Sequence, residues 1–103
     1  GPTGNHSIAN GILGGPRDKI ICFVRVEQYD QEKDFQLPCN SGIGGELTVL
    51  EGKQMSFIQN ASQKGTEINF TDNGVVNYVI SMPRIDAYNL FKLMYSLEVS
   101  VAV

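Results

Sequence analysis

The chain has 103 residues, of which 42% are hydrophobic and 18% charged, and its formal net charge is -3. That length is one domain of ordinary size, able to bury about two-thirds of its unfolded surface without a metal or disulfide staple. Low charge, 11 glycines and many Ser, Thr and Asn suit a turn-rich β module and speak against a helical bundle or a disordered tail. The 8 Lys and Arg are scattered, so no nucleic-acid footprint is visible. No apolar run approaches the ~20 residues that span a bilayer, and no secretory signal is present, so no membrane partner is expected. Gly1-Pro2 is compatible with a protease-cleavage scar, in which case a missing signal says nothing of compartment. Extracellular, virion-surface and intracellular locations all stay open.

Residues 1–17 hold five glycines and two prolines without a sustained period, and read as a flexible arm preceding a single β-rich domain over 18–103. In DKIICFVRVEQYD, Ile20, Cys22, Val24 and Val26 share one face and β-branched residues dominate, which predicts a strand. QEKD is a polar turn, FQLP a short extended piece ended by Pro38, and CNSGIGG a loop. ELTVL and KQMSFIQ are expected as two strands joined by a tight turn at Glu51-Gly52. TEINFT alternates, with Ile68 and Phe70 inward and Glu67 and Asn69 outward. Asp72-Asn73-Gly74 then predicts a type I′ hairpin, since Asn and Gly tolerate positive φ. VVNYVISM is the return strand, with Val76, Tyr78, Ile80 and Met82 on one face.

Pro83 to Asn89 breaks the alternation and allows a short helical turn near 83–90. The final run, YNLFKLMYSLEVSVAV, fits two readings. As a strand from Phe91, it places Phe91, Leu93, Tyr95, Leu97, Val99, Val101 and Val103 on one face, and Val at alternate positions disfavours a helix. As a helix over 84–97, it aligns Asn89, Lys92 and Ser96 on one stripe. The strand reading leads. It implies an all-β fold: an antiparallel β-sandwich or jelly-roll-like domain of about seven strands with at most one short helix. The alternative is a six-stranded sheet with a C-terminal helix, like a pleckstrin-homology domain or polo box.

Chemistry is sparse. His6 is the only histidine and sits in the Gly-rich arm, which fails a Ser-His or Cys-His nucleophile scheme. Cys22 reads as a buried free thiol, Cys39 as a turn residue; a bridge between them is the lesser option. Asp30, Glu32 and Asp34 alternate like oxygen ligands, yet an EF-hand's Gly and terminal Glu are missing, so they are a weak Ca²⁺ candidate only. No catalytic carboxylate pair, P-loop or zinc pattern appears, and no cofactor is expected. The triplets beginning at Asn5, Asn60 and Asn69 match the glycosylation acceptor, with Asn60 and Asn69 accessible if the chain is exported.

The sequence thus predicts no enzyme but a non-catalytic recognition or assembly module, a surface-projecting structural domain in the format of capsid protruding domains or adhesins. Its partner would be another protein or a second copy, as a weak homo-oligomer. The outward apolar residues Tyr29, Val75 and Met94 are the interface candidates. The alternative function is an intracellular peptide-binding module.

Overall fold

The computed structural model describes residues 2–40, 42 and 44–102. Gly1 of the terminal dipeptide, Ser41 and Ile43 of the expected loop, and Val103 of the expected final strand lie outside the described residues. The element order is α1 (Pro2–Gly14), β1 (Ile21–Gln28), a 3-10 helix (Gly45–Leu50), α2 (Met55–Asp72), β2 (Asn77–Arg84) and α3 (Ala87–Ala102). The protein is therefore mixed α/β, and the antiparallel β-sandwich is overturned. The six-stranded alternative is overturned with it, although its C-terminal helix is present with shifted ends. The Gly-rich stretch expected as an arm carries α1.

Both strands form within the runs read as strands, although β2 starts later, at Asn77, and continues through Pro83 to Arg84, where a short helical turn near 83–90 was expected. They pair side by side, but in parallel, in the register Ile21↔Asn77 through Gln28↔Arg84. A parallel pair needs a crossover rather than a hairpin, and α2 supplies it. Three expected features are corrected there. From Met55 of KQMSFIQ through NASQKG and TEINFT to Asp72 the chain is one continuous 18-residue helix. ELTVL is the 3-10 helix, its Thr48 Oγ1 donating back to the Gly45 carbonyl at 2.9 Å.

Asn73-Gly74 closes α2 instead of a hairpin. Gly74, at φ 71°, donates its N–H to the Thr71 carbonyl at 3.0 Å, and Val75 donates to the Phe70 carbonyl at 2.9 Å. Those two bonds are the Schellman pair, and Phe70 and Val75, the residues it brings together, are both buried. A positive-φ glycine serves a type I′ turn and a helix terminus equally well, so the Asn-Gly dipeptide cannot distinguish them.

The core is small. Its buried apolar residues among those described are Val26, Phe70, Val75 and Met82, with Val26 and Met82 facing each other across the strand pair. Phe23 packs a tilted ring on Phe70 with centroids 5.8 Å apart. Burying a Phe or Met contributes about 1.5–3 kcal/mol. Two residues later on β1, Arg25 reaches Glu67 of α2, so the face carrying Phe23 and Arg25 is the one α2 covers.

The opposite face of β1 and β2 is largely open: Cys22, Val24 and Tyr78 are exposed, and only Val26 and Met82 at its far end are buried. Parallel sheets are ordinarily covered on both faces. The radius of gyration, 16.6 Å, exceeds the ~13 Å of a compact 100-residue domain, and the molecule is only 18 Å thick.

Candidate functional site

β1 and β2 end next to each other, at the register partners Gln28 and Arg84. The carboxyl ends of parallel strands are where α/β proteins place ligands, because the loops and helix N-termini converge there. A cleft of about 790 Å³ lies at this end. Tyr29, Phe35, Met55 and Ile85 supply apolar lining, and Asp30, Lys33, Asp34, Arg84 and Asp86 supply charge.

Each of these charges has a local partner. The Ser56 N–H donates to Asp34 Oδ1 at 2.9 Å and the Ser56 hydroxyl donates to Asp34 Oδ2, so Asp34 fills the N-terminus of α2 from outside the helix. Asp86 does the same for α3 from the N-cap position, its Oδ1 accepting the Asn89 N–H at 2.8 Å. The Asn89 N–H and the Arg84 guanidinium hold the Asp86 carboxyl below its ordinary range. Lys33 Nζ stands 3.4 Å from Asp30 Oδ2. With three carboxylates against two cations, the described residues of this cleft do not favour an anion.

A second, smaller cleft of about 230 Å³ lies between α1, α2 and β1. Asn5, Gln59, Ser62, Gln63 and Thr66 line it with neutral hydrogen-bonding groups. Asn5 Nδ2 donates to Thr66 Oγ1 at 3.1 Å and so ties α1 to α2. His6 follows Asn5 on α1 and is exposed.

The residues singled out from sequence do not converge. Asp34 serves α2, while Asp30 takes the Glu32 N–H and the Lys33 amine. Among the described residues no group of three His, Cys, Asp or Glu is arranged to hold a metal ion. Tyr29 is half-buried and its hydroxyl donates to Asn60 Oδ1 at 3.5 Å. Val75, expected outward, is buried by the α2 terminus, whereas Met94 is exposed on α3. Asn60 and Asn69 lie on helix α2, Asn69 exposed and Asn60 half-buried. Cys22 and Cys39 are free, and Cys22 is exposed rather than buried because its sheet face is uncovered. Opposite Cys22, the Tyr78 hydroxyl is raised above its ordinary range by hydrogen bonding to the thiol.

Sequence reasoning missed three residues that organise the fold. Glu67, taken as outward, is buried and pairs with Arg25 and, at 3.3 Å, with Lys64. Asp34 and Asp86 are helix caps. An Asp three residues before an Asn and just ahead of the apolar run of α3 is a start signal that could have located Asp86. Nothing local marks Glu67. Among the described residues no helix is long and apolar enough to cross a membrane.

No family model matches the chain. It is, however, similar to curated glucose-6-phosphate isomerases: 33% identical over 101 residues to that of Fusobacterium nucleatum, 33% to that of Shouchella clausii, and 34% to that of Levilactobacillus brevis. Each alignment covers 98% of this chain and 22% of the relative. The chain thus spans about a fifth of the length of the curated relatives it matches. These findings overturn the expectation of a non-catalytic capsid-like, adhesin-like or peptide-binding module: nearly the whole chain resembles one segment of enzymes, and the fold is α/β.

Proposed function

We propose that this chain is one part of a sugar-phosphate isomerase that acts on glucose 6-phosphate within a polypeptide of its relatives' length. The observation that carries the reading is the similarity over 98% of the chain to glucose-6-phosphate isomerases from several bacteria. The mixed α/β fold, with a cleft at the carboxyl ends of its parallel strands, agrees with an enzyme segment.

Moving a carbonyl between neighbouring carbons of a sugar requires a proton to be taken from one carbon and delivered to the other. Imidazole is suited to proton handling near neutral pH. His6 is the only imidazole of the chain, stands exposed on α1, and directly follows Asn5, which lines the cleft of neutral hydrogen-bonding groups suited to sugar hydroxyls. Most of the cations here have local partners: Arg17 caps the α1 carbonyls, Lys19 meets Asp18, Lys33 meets Asp30, Arg84 holds Asp86, and Arg25 and Lys64 hold Glu67. With its cations mostly paired and dispersed, the chain shows no cluster for a phosphate among the described residues, and the phosphate is assigned to groups elsewhere in the longer polypeptide.

The test exchanges the matched segment of the Fusobacterium nucleatum isomerase for this chain and follows glucose 6-phosphate isomerisation. Activity in the folded chimera, falling about 100-fold or more in the His6→Gln variant, supports the reading. A folded chimera without activity overturns it, and full activity in His6→Gln removes His6 from proton handling.

A further inference from the structure

Helix α3 is the most apolar of the three α-helices, yet none of its residues is buried. Phe91 is 70% exposed, Met94 64%, Tyr95 62% and Val101 87%. Only Asn89 and Leu93 turn partly toward the rest of the chain. At ~100° per residue, the exposed apolar side chains from Leu97 round to Val99 sweep about 200° of the helix, and Glu98 is the only charged residue among them. The polar stripe is narrow: Asn89, Lys92, Ser96 and Ser100. A helix facing water on one side shows an apolar stripe of about 100°, whereas one apolar over most of its circumference belongs inside a protein core.

We infer that α3 is a core helix of the longer isomerase, covered across Leu90, Phe91, Met94, Tyr95, Leu97 and Val101 by a part of that polypeptide outside this chain. The inference rests on the proposed function, since the relatives supply the missing partner: 78% of their length lies beyond the matched segment, as the 22% coverage requires. A second copy is the poorer occupant. A 16-residue helix is about 24 Å long. One helix laid against another of that length buries less than the ~1,000 Å² of a stable interface and covers only about half of this arc. The uncovered sheet face at Cys22, Val24 and Tyr78 is a second sign of missing cover.

The experiment compares Met94→Lys, in the apolar arc, with Ser96→Lys, in the polar stripe, in two settings: the chain alone and the chimera with the Fusobacterium nucleatum isomerase. In the chain alone, neither variant should shift the melting temperature, because both side chains already face water. In the chimera, Met94→Lys should lower it by about 10 °C or prevent soluble folding, while Ser96→Lys should leave it within about 2 °C. Equal tolerance of both variants in the chimera overturns the inference. So does a dimer of the chain alone that Met94→Lys dissolves, because a second copy would then be the cover. A chimera that fails to fold where the unexchanged isomerase folds also overturns it, because the face then does not fit the remainder. Loss of activity with this pattern of stabilities intact counts against the proposed function only.

Discussion

Helices α2 and α3 reverse the usual relation between composition and burial. The stripe that α2 turns toward its own chain includes Ser56, Asn60, Gln63 and Glu67, with Phe70 the only large apolar residue at its end. Its outward side carries Phe57, 56% exposed, and Ile68, 50% exposed. α3 is rich in Leu, Met and aromatics and lies in the open. What docks α2 is a polar anchor and one aromatic: Arg25 to Glu67, Ser56 to Asp34, and Phe23 against Phe70. Burial follows from which surfaces are available to pack, and this chain offers α3 almost none.

The sharpest way to break that comparison is to truncate one Phe in each helix. Phe70→Ala should cost about 3–5 kcal/mol, because it empties the site under Phe23 and Val75 and loosens the α2 terminus. Phe91→Ala should change the stability of the chain by less than about 0.5 kcal/mol, as expected for an exposed side chain. Urea unfolding of both variants is the measurement, and comparable losses would show that α3 is packed in the isolated chain after all.

The second largest effect concerns the polar anchor. Glu67→Ala leaves Arg25 without its carboxylate on the β1–α2 face and should cost about 2–3 kcal/mol. Replacing both partners, Arg25→Met with Glu67→Leu, should restore most of that loss, since an apolar pair of similar volume avoids the desolvation of two charges. A double variant as unstable as Glu67→Ala would mean that the charges themselves specify how α2 docks.

The smallest effect is a pH dependence confined to α3. The folded-state carboxyl of Asp86 is held below the ordinary carboxylate range by the Asn89 N–H and by Arg84. A depressed carboxyl contributes stability that is fully present above the unfolded value and is lost as pH falls through the folded one. Helicity followed by circular dichroism should therefore decline on acidification below about pH 4 more in the native chain than in Asp86→Asn, which keeps a cap that does not titrate. Identical acid profiles would show that Asp86 does not govern the start of α3.

Both strands were legible because apolar residues alternate along one face, Cys22, Val24 and Val26 in the first and Tyr78, Ile80 and Met82 in the second, a local pattern that the parallel pair retains. α2 was illegible for a physical reason: hydrophobic periodicity reports a helix only when its inward stripe is apolar, and here that stripe is polar. TEINFT looked like a strand because Ile68 and Phe70 are two apart, yet one is half exposed and the other buried. In α3 an apolar arc wider than half the helix satisfies a period of two as readily as 3.6, and the helix cost of Val99 and Val101, a few tenths of a kcal/mol each, is small beside the Asp86 cap. Of the site, His6 and the cleft residues were visible as residue types, but His6 was placed on an arm and the clefts could not be drawn.

By itself the sequence determined the two strands, the apolar character of the C-terminal run, the absence of clustered cations, and the single imidazole, because each is a property of neighbouring residues. Only the tertiary structure decided that the strands run parallel, that Asn73-Gly74 ends a helix, that Glu67 is inside and Met94 outside, and that a cleft opens where β1 and β2 end. Strand direction, burial and clefts arise from contacts between residues far apart in the chain, and local periodicity carries no record of them.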